Sequence, residues 1–455
     1  MPNSRDNPSK SDKTLITIRS NSLVSSHLQK IFLCKEKEMP QFFSLQRKLF
    51  VTLQKNHVVM ERIYEISRRL VESLDTPHYR YLYDKVEWGD RLIMIKGARG
   101  VGKTTMLYQQ CREKGEKGVY ASLDQLFFNE NTIVDLADYH YKHGGTHLYL
   151  DEVHLYPRPN WEQELKNIHD SYPGFHVVFT GSSLLRLNNS LADLSRRIAT
   201  YTLTGLSFRE YLNFTGNYGF ESHSLEDILV HHSSIAPKIA SQVRVIGELE
   251  KYLKKGYYPF FMDTSSFTYS QRVERIVLSV IDTDIPAITD IEYETRLKLK
   301  KLLVVLADNV PFVPNMTKLG REIGVSRNQL MKFFTLLNDG AILRILNDEA
   351  NATKNVAKPE KILFDNPSVM QALGIFNKIG TVRESFVAAM LSAAGKLYAA
   401  KEGDFLLDRK YIFEVGGKSK GFSQIADKPD SYVVADDIES GFGNKIPMWL
   451  LGFLY

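Results

Sequence analysis

Residues 91–107, RLIMIKGARGVGKTTML, run from an aliphatic stretch through a glycine-rich turn straight into a helical pattern. Leu92 to Ile95 are continuously apolar, as a strand buried on both faces of a parallel sheet requires. Gly97-Ala98-Arg99-Gly100-Val101-Gly102-Lys103-Thr104 then fits G-x-x-x-x-G-K-[ST] at each fixed position. Such a loop needs glycine because its backbone takes conformations closed to other residues while its N–H groups turn inward around phosphate oxygens. The helix that opens near Lys103 adds the positive end of its dipole. The pattern implies ATP as ligand and Mg²⁺ as its counter-ion. Lys103 would meet the β- and γ-phosphates and the Thr104 hydroxyl would ligate the metal, while Thr105 packs or caps.

Working outward, a second apolar run, His147-Leu148-Tyr149-Leu150, ends in Asp151-Glu152. An Asp at a strand's carboxyl end suits the Mg²⁺ hydration shell, and the next Glu suits the orientation or deprotonation of an attacking water. Taken alone, the run is also a strand ending in a solvated acidic turn; the two motifs together favour the nucleotide reading. Phe175 to Phe179 is a further buried strand. It ends in Thr180-Gly181-Ser182-Ser183, where a polar residue either senses a γ-phosphate or caps the next helix. Asn377-Lys378 is followed by Ile379-Gly380, so the Asn-Lys-x-Asp guanine motif is missing there.

At 455 residues the chain has room for two or three domains. Its 43% hydrophobic and 24% charged content is that of an ordinary globular protein. No apolar run nears the roughly 20 residues of a membrane span, and the first residues lack a signal peptide's hydrophobic core, which predicts a cytoplasmic protein with no membrane partner. Cys34 and Cys111 are too few for a disulfide framework or a zinc site and are expected as unpaired thiols. The net charge of +5 is concentrated at one end: residues 1–59 hold 10 Lys+Arg against 4 Asp+Glu, leaving 48 against 49 elsewhere. Bulk charge therefore gives no argument for nucleic acid, although a local basic face would still serve.

Residues 1–59 are polar with little periodicity and are expected to be disordered or loosely helical; translation from Met39 or Met60 is the other reading. A helix is expected from Met60 to about Leu74. Tyr79 to Tyr83 and Trp88 precede the first strand, where they either pack on the sheet or flank an adenine ring. A β-loop-α-β unit follows, with a helix over 104–114 and a strand over 119–123; helices are then expected over 133–141 and 161–170. Leu225 to Leu253 is expected to be helical, as are 272–280 and 293–307. Met316 to Leu346 has a helix-turn-helix pattern, broken at Gly324 and reopened by Ser326-x-x-Gln329, with 342–346 and 361–364 available as a wing. Arg327, Asn328 and Lys332 would be exposed on the second helix, fit either for a DNA groove or for an ordinary solvated or partner-facing surface.

The phosphate loop, LYLDEVH, VVFTGSSLLRL, the pair Arg196-Arg197 and LTGLSFREY together resemble the AAA-like ATPases of bacteria and archaea, over roughly residues 60–455. The resemblance implies an α/β fold: a P-loop NTPase core of parallel sheet (60–215), a helical segment (216–290), a winged helix (291–365) and an α/β nuclease-like domain (366–455). It also implies that Arg196 or Arg197 acts as a sensor or finger on the phosphates, from this chain or from a second copy in a homo-oligomer, with a structural ion pair as the alternative. The implied activity is ATP hydrolysis with Glu152 and Lys103 as catalytic groups; the alternative is a nucleotide-gated DNA-binding or scaffolding switch with incidental turnover. A nuclease of the restriction type needs an acid followed by a strand carrying Glu-x-Lys. Asp404 and Glu414 fit the acids, but Gly416 stands where Lys belongs, so the domain is expected to be inactive unless Lys418 substitutes.

Overall fold

The computed structural model describes residues 57–182, 184, 192–309, 315–349, 359–375 and 378–455. The chain divides into two compact units, 1–66 and 67–455. In the first, residues 57–66 are helical; Cys34, Met39 and most of the expected disordered segment lie outside the described residues.

The second unit begins its architecture with five parallel strands: β1 (Leu92–Gly97), β2 (Gly118–Ser122), β3 (His147–Asp151), β4 (His176–Ser182) and β5 (Ala199–Thr202). Their order is β2-β3-β4-β1-β5, so β4 is inserted between the glycine-loop strand and the acidic strand. Leu92 to Ile95 are each no more than 1% exposed, as the unbroken aliphatic run predicted. Truncating Ile95 to Ala would cost about 2–5 kcal/mol through lost burial and the cavity left behind. Helices α1 (Lys103–Lys114), α2 (Ile133–Lys142) and α3 (Trp161–Ser171) connect the strands. Thr132 and Asp135 close a reciprocal capping box at the start of α2. The fold class is α/β with a P-loop NTPase sheet.

Helices α4 (Phe208–Gly216), α5 (Leu225–Ala240), α6 (Val245–Lys255), α7 (Ser266–Ser279) and α8 (Tyr293–Asn309) follow. The helical stretch expected over 225–253 is thus two helices, interrupted at 241–244. Between α7 and α8, Val280–Asp284 is a π-helical turn. Next come α9 (Met316–Ile323), which stops at Gly324 with φ +77°, and α10 (Arg327–Asp339), whose Ser326 cap accepts the Gln329 N–H at 3.2 Å. β6 (Leu343–Leu346) and β7 (Lys361–Phe364) pair antiparallel.

After α11 (Pro367–Ala372) and α12 (Ile379–Ala394), a second five-stranded sheet closes the chain: β8 (Leu397–Ala399), β9 (Phe405–Leu407), β10 (Tyr411–Gly416), β11 (Ser431–Ala435) and β12 (Lys445–Pro447). It is mixed, with β8, β9 and β10 antiparallel and β10, β11 and β12 parallel. β12 lies beyond the last strand expected from sequence, over 432–434. One apolar cluster runs from Val71 to Tyr455 and joins the first sheet, the helices that follow it and the second sheet, while Ile425, Val433 and Ala435 form a separate small one. Among the described residues, no helix is long and apolar enough to cross a membrane.

Candidate nucleotide site

Parallel α/β sheets bind ligands beyond the carboxyl ends of their strands, and there the two sequence motifs meet. Gly97 ends β1 so close to the Leu203 carbonyl that a Cβ would stand 2.3 Å from its oxygen. Gly102 caps α1 with φ +102°, backbone that a side chain would strain. Lys103, 5% exposed, donates to the carbonyls of Gly97 at 2.9 Å and Ala98 at 3.0 Å. Burial pulls its pKa below the ordinary lysine value, against the pull of the Glu152, Asp151 and Asp284 carboxylates. Thr104 Oγ1 donates to Asp151 Oδ2 at 2.6 Å, joining side chains 47 residues apart. Thr105 is half-buried in the first turn of α1, Val101 is buried, and Ala98 is nearly so.

Asp151 is held from both sides. The Tyr120 hydroxyl donates to Oδ2 at 3.1 Å, and Thr180 on β4 donates to Oδ1. Thr180 therefore clamps the acidic strand, and the Ser182 hydroxyl accepts the Leu184 N–H at 3.3 Å, a local capping contact; Ser183 lies outside the described residues. Glu152 turns the chain out of the sheet at φ 54°, a left-handed conformation uncommon away from glycine that often marks functional sites. Its N–H faces Asp151 Oδ1 at 3.1 Å and Thr180 Oγ1 at 3.2 Å, and its carboxylate keeps about a fifth of its surface open to solvent. A hydroxyl and a carboxylate side by side are the hard oxygen donors Mg²⁺ takes when phosphates and waters supply the rest. The residues present fit that ion, although among the described residues no cluster of three or more His, Cys, Asp or Glu forms a closed metal site.

Arg80 was not singled out by sequence. Fully buried, its guanidinium reaches the Val101 carbonyl of the loop, the carbonyls of Thr204 and Gly205 at 2.9 Å each, and Glu210 at 2.9 and 3.1 Å. Of the aromatics before β1, Tyr83 and Trp88 meet at a tilt with centroids 5.2 Å apart and Tyr81 packs on Tyr455 at 4.6 Å, the packing alternative of the sequence reading. Cys111 is a free buried thiol whose pKa burial pushes up to about 12.

Arg196 and Arg197 lie elsewhere. They lie in the turn before β5, whose first residue Ala199 pairs with Ile93, roughly 13 Å along the strand direction from Gly97. Arg197 Nε sits 3.3 Å from Asp170 Oδ1. The parallel sheet starts β5 at the end opposite the glycine loop, which favours the ion-pair alternative for Arg197.

Residues 89–212 match the family model described as AAA domain. The core is AAA-like. Residues 246–379 match a domain of unknown function, DUF8612, which runs through the borders drawn from sequence at 290 and 365. A relative from Methanocaldococcus jannaschii, itself uncharacterized, is 28% identical over 372 residues, covering 73% of this chain and 77% of that protein. Among solved structures, Aeropyrum pernix ORC1 in complex with DNA aligns at 13% identity and TM-score 0.30, covering 69% of this chain and 92% of that one. AMPPCP-bound DnaA from Aquifex aeolicus aligns at 14% and 0.23, covering 61% and 88%.

In the terminal mixed sheet, Asp404 Oδ2 accepts the Val415 N–H at 2.9 Å, which places Asp404 beside the strand carrying Glu414. A third acid unnoticed in sequence, Glu384 on α12, joins them through Lys361, whose Nζ stands 2.6 Å from Glu384 Oε2 and 2.9 Å from Asp404 Oδ1. Lys420, not Lys418, pairs with Glu414, and its stem lies over Gly416 where a side chain would stand. Lys445 donates to the carbonyls of Lys418 at 2.7 Å and Lys420 at 3.0 Å, fixing that turn, while Lys418 points to Asp437 at 3.3 Å.

Proposed function

We propose that this chain is an ATP hydrolase acting at the AAA-like core, producing ADP and phosphate. The observation that carries the reading is the 2.6 Å bond from Thr104 to Asp151, because it sets the end of the glycine loop against the acidic strand at one edge of the sheet. Lys103, now bonded to loop carbonyls, would exchange them for β- and γ-phosphate oxygens, and the loop N–H groups would hold the remaining phosphate charge. Thr104 and Asp151 would hold Mg²⁺, directly or through water, and the ion when bound neutralises charge on the β- and γ-phosphates. Glu152 takes the proton of the attacking water as the oxygen adds to the γ-phosphorus and the bond to ADP breaks. The test is a pair of variants. Lys103→Ala is expected to lose nucleotide binding; Glu152→Gln is expected to keep it and lose turnover, since one contact serves ground-state binding and the other the transition state. Equal activity of Glu152→Gln and the unaltered protein would refute Glu152 as base.

A second reading, a nucleotide-gated switch acting through the 316–364 region as a winged helix on DNA, is favoured by one contact. Arg99 of the loop bonds Asp284 at 2.7 Å, tying the nucleotide edge to the segment that leads into α8 and α9. Arg327, Asn328 and Lys332 are exposed on α10, as a DNA-reading face needs. An Arg196 or Arg197 finger would have to come from a second copy in a homo-oligomer. The terminal domain, on this account, has a nuclease-like core without nuclease activity: Lys361 already bridges Glu384 and Asp404, and Lys420 neutralises Glu414. Burial works against the charge on Lys361, but the two carboxylates outweigh it and raise its pKa, so the bridge stays cationic.

A further inference from the structure

Three charged or polar groups beside Glu152 have no part in the reaction as derived above. The nearest is His154, in the turn after the acidic strand; its side chain is fully buried and its Nδ1 stands 3.4 Å from Glu152 Oε2. Its other nitrogen, Nε2, faces Asp284 Oδ1 at 3.7 Å. That is an ion-pair distance but longer than a hydrogen bond, and Nε2 is a buried polar atom with no hydrogen-bond partner. Asp284 is 1% exposed and lies outside the AAA-like core, at the end of the π-helical turn, with Arg99 bonded to the same oxygen. π turns are rare and recur at functional positions. The row Arg99, Asp284, His154, Glu152 thus runs from the glycine loop to the base by way of a carboxylate delivered from the helical segment.

We propose that His154 and Asp284 are positioning residues for Glu152, and that closure of the helical segment on bound nucleotide completes the row. The inference rests on the ATP hydrolase reading. A movement of about 1 Å brings Asp284 within hydrogen-bond range of Nε2. Nδ1 accepts the Ser182 N–H at 3.4 Å, so with the Nε2–H donated to Asp284 the neutral ring turns a fixed lone pair on Glu152 and, by repulsion, restricts where its carboxylate points. The helical segment already bears on the loop: a Cβ on Gly100 would meet Ile276 at 2.8 Å and Phe260 at 3.2 Å. Turnover then depends on the seating of a segment that touches neither the water nor the γ-phosphate.

The experiment measures kcat and KM for phosphate release, and affinity for a non-hydrolysable ATP analogue, in the full chain and in His154→Ala, Asp284→Ala, their double variant and Asp284→Asn. Glu152→Gln is run beside them as the variant in which the base itself is missing. Displacing a catalytic group by an ångström costs roughly ten- to a hundred-fold in rate. Each Ala variant is expected to lose that much kcat, with KM and analogue affinity within about three-fold, because the ground-state phosphate contacts are intact. The double variant is expected to be no slower than the slower single one, since both break the same row. Asp284→Asn keeps the shape and an acceptor oxygen, so it is expected to fold and to recover part of the loss. Turnover in the unaltered chain that the Ala variants leave within two-fold, losses that multiply in the double variant, or a rise in KM alone would overturn the inference while leaving the hydrolase reading standing. No turnover in the unaltered chain would overturn both.

Discussion

Replacing Arg80 by Met removes a side chain that ties the glycine loop to the LSFREY turn. Arg80 is buried with Glu210, and the pair makes two bonds of 2.9 and 3.1 Å while the remaining guanidinium N–H groups satisfy the carbonyls of Val101, Thr204 and Gly205. Burial alone would lower the pKa of Arg80, but Glu210 outweighs it and raises it, so the guanidinium stays charged throughout. Glu210, itself bonded to the Tyr81 N–H at 2.8 Å and the Ser207 N–H at 3.1 Å, is left buried and uncompensated. Breaking such a pair from one side costs about 3–5 kcal/mol. At about 2–4 °C per kcal/mol for a unit of a couple of hundred residues, the thermal midpoint should fall by roughly 6–20 °C. Arg80→Lys keeps the charge but loses the fork and should fall between. Adding Glu210→Gln to Arg80→Met should cost less than the two losses summed, because the stranded charge disappears. Calorimetry with circular dichroism as second probe measures this. A midpoint within about 2 °C of the unaltered protein, or additive losses in the double variant, would refute the stranded-charge argument.

Burial, reinforced by the stacked His176 ring, holds His147 down to about 4 from its ordinary 6.5. As pH falls the unfolded chain takes this proton first, so stability present above about pH 6.5 is lost toward pH 4; His147→Gln should flatten denaturation midpoints across that window. If Arg196 or Arg197 serves a neighbouring copy, replacing both with Ala should lower turnover roughly a thousand-fold and the rate per chain should rise with protein concentration; a change of only a few fold marks the Asp170 contact as structural. No cleavage of single- or double-stranded DNA or RNA is expected with Mg²⁺ or Mn²⁺, and cutting that vanishes in both Asp404→Ala and Glu414→Ala would contradict the lysine-bridged site and single out Lys420.

What sequence showed and what it hid divides along contact range. The β1 run, the glycine loop and the acidic strand were legible because each is a local pattern whose chemistry needs fixed residue types at fixed spacing. Arg80, His154 and Asp284 were hidden because each is one polar residue in ordinary company. Only the packing of residues 130 or more apart in sequence makes Arg80 meet Glu210 and His154 meet Asp284. The break at 241–244 carries no glycine or proline to announce it, and the Pro237 that does occur is accommodated inside α5. β12 is three residues long, ends in proline and lies at a sheet edge, where a strand needs little of the usual pattern. Lys420 was passed over because spacing along an ideal strand favoured Lys418, whereas the turn held by Lys445 folds the later lysine over Gly416.

The central claim is that Glu152 activates a water on ATP bound at the Lys103 loop, and the most direct measurement is multiple-turnover phosphate release by the full chain with ATP and Mg²⁺, with and without DNA. The account predicts many phosphates per chain with or without DNA, abolished in Glu152→Gln, which still retains bound ATP. Release that stops at or below one phosphate per chain, or that continues unchanged in Glu152→Gln, would contradict it.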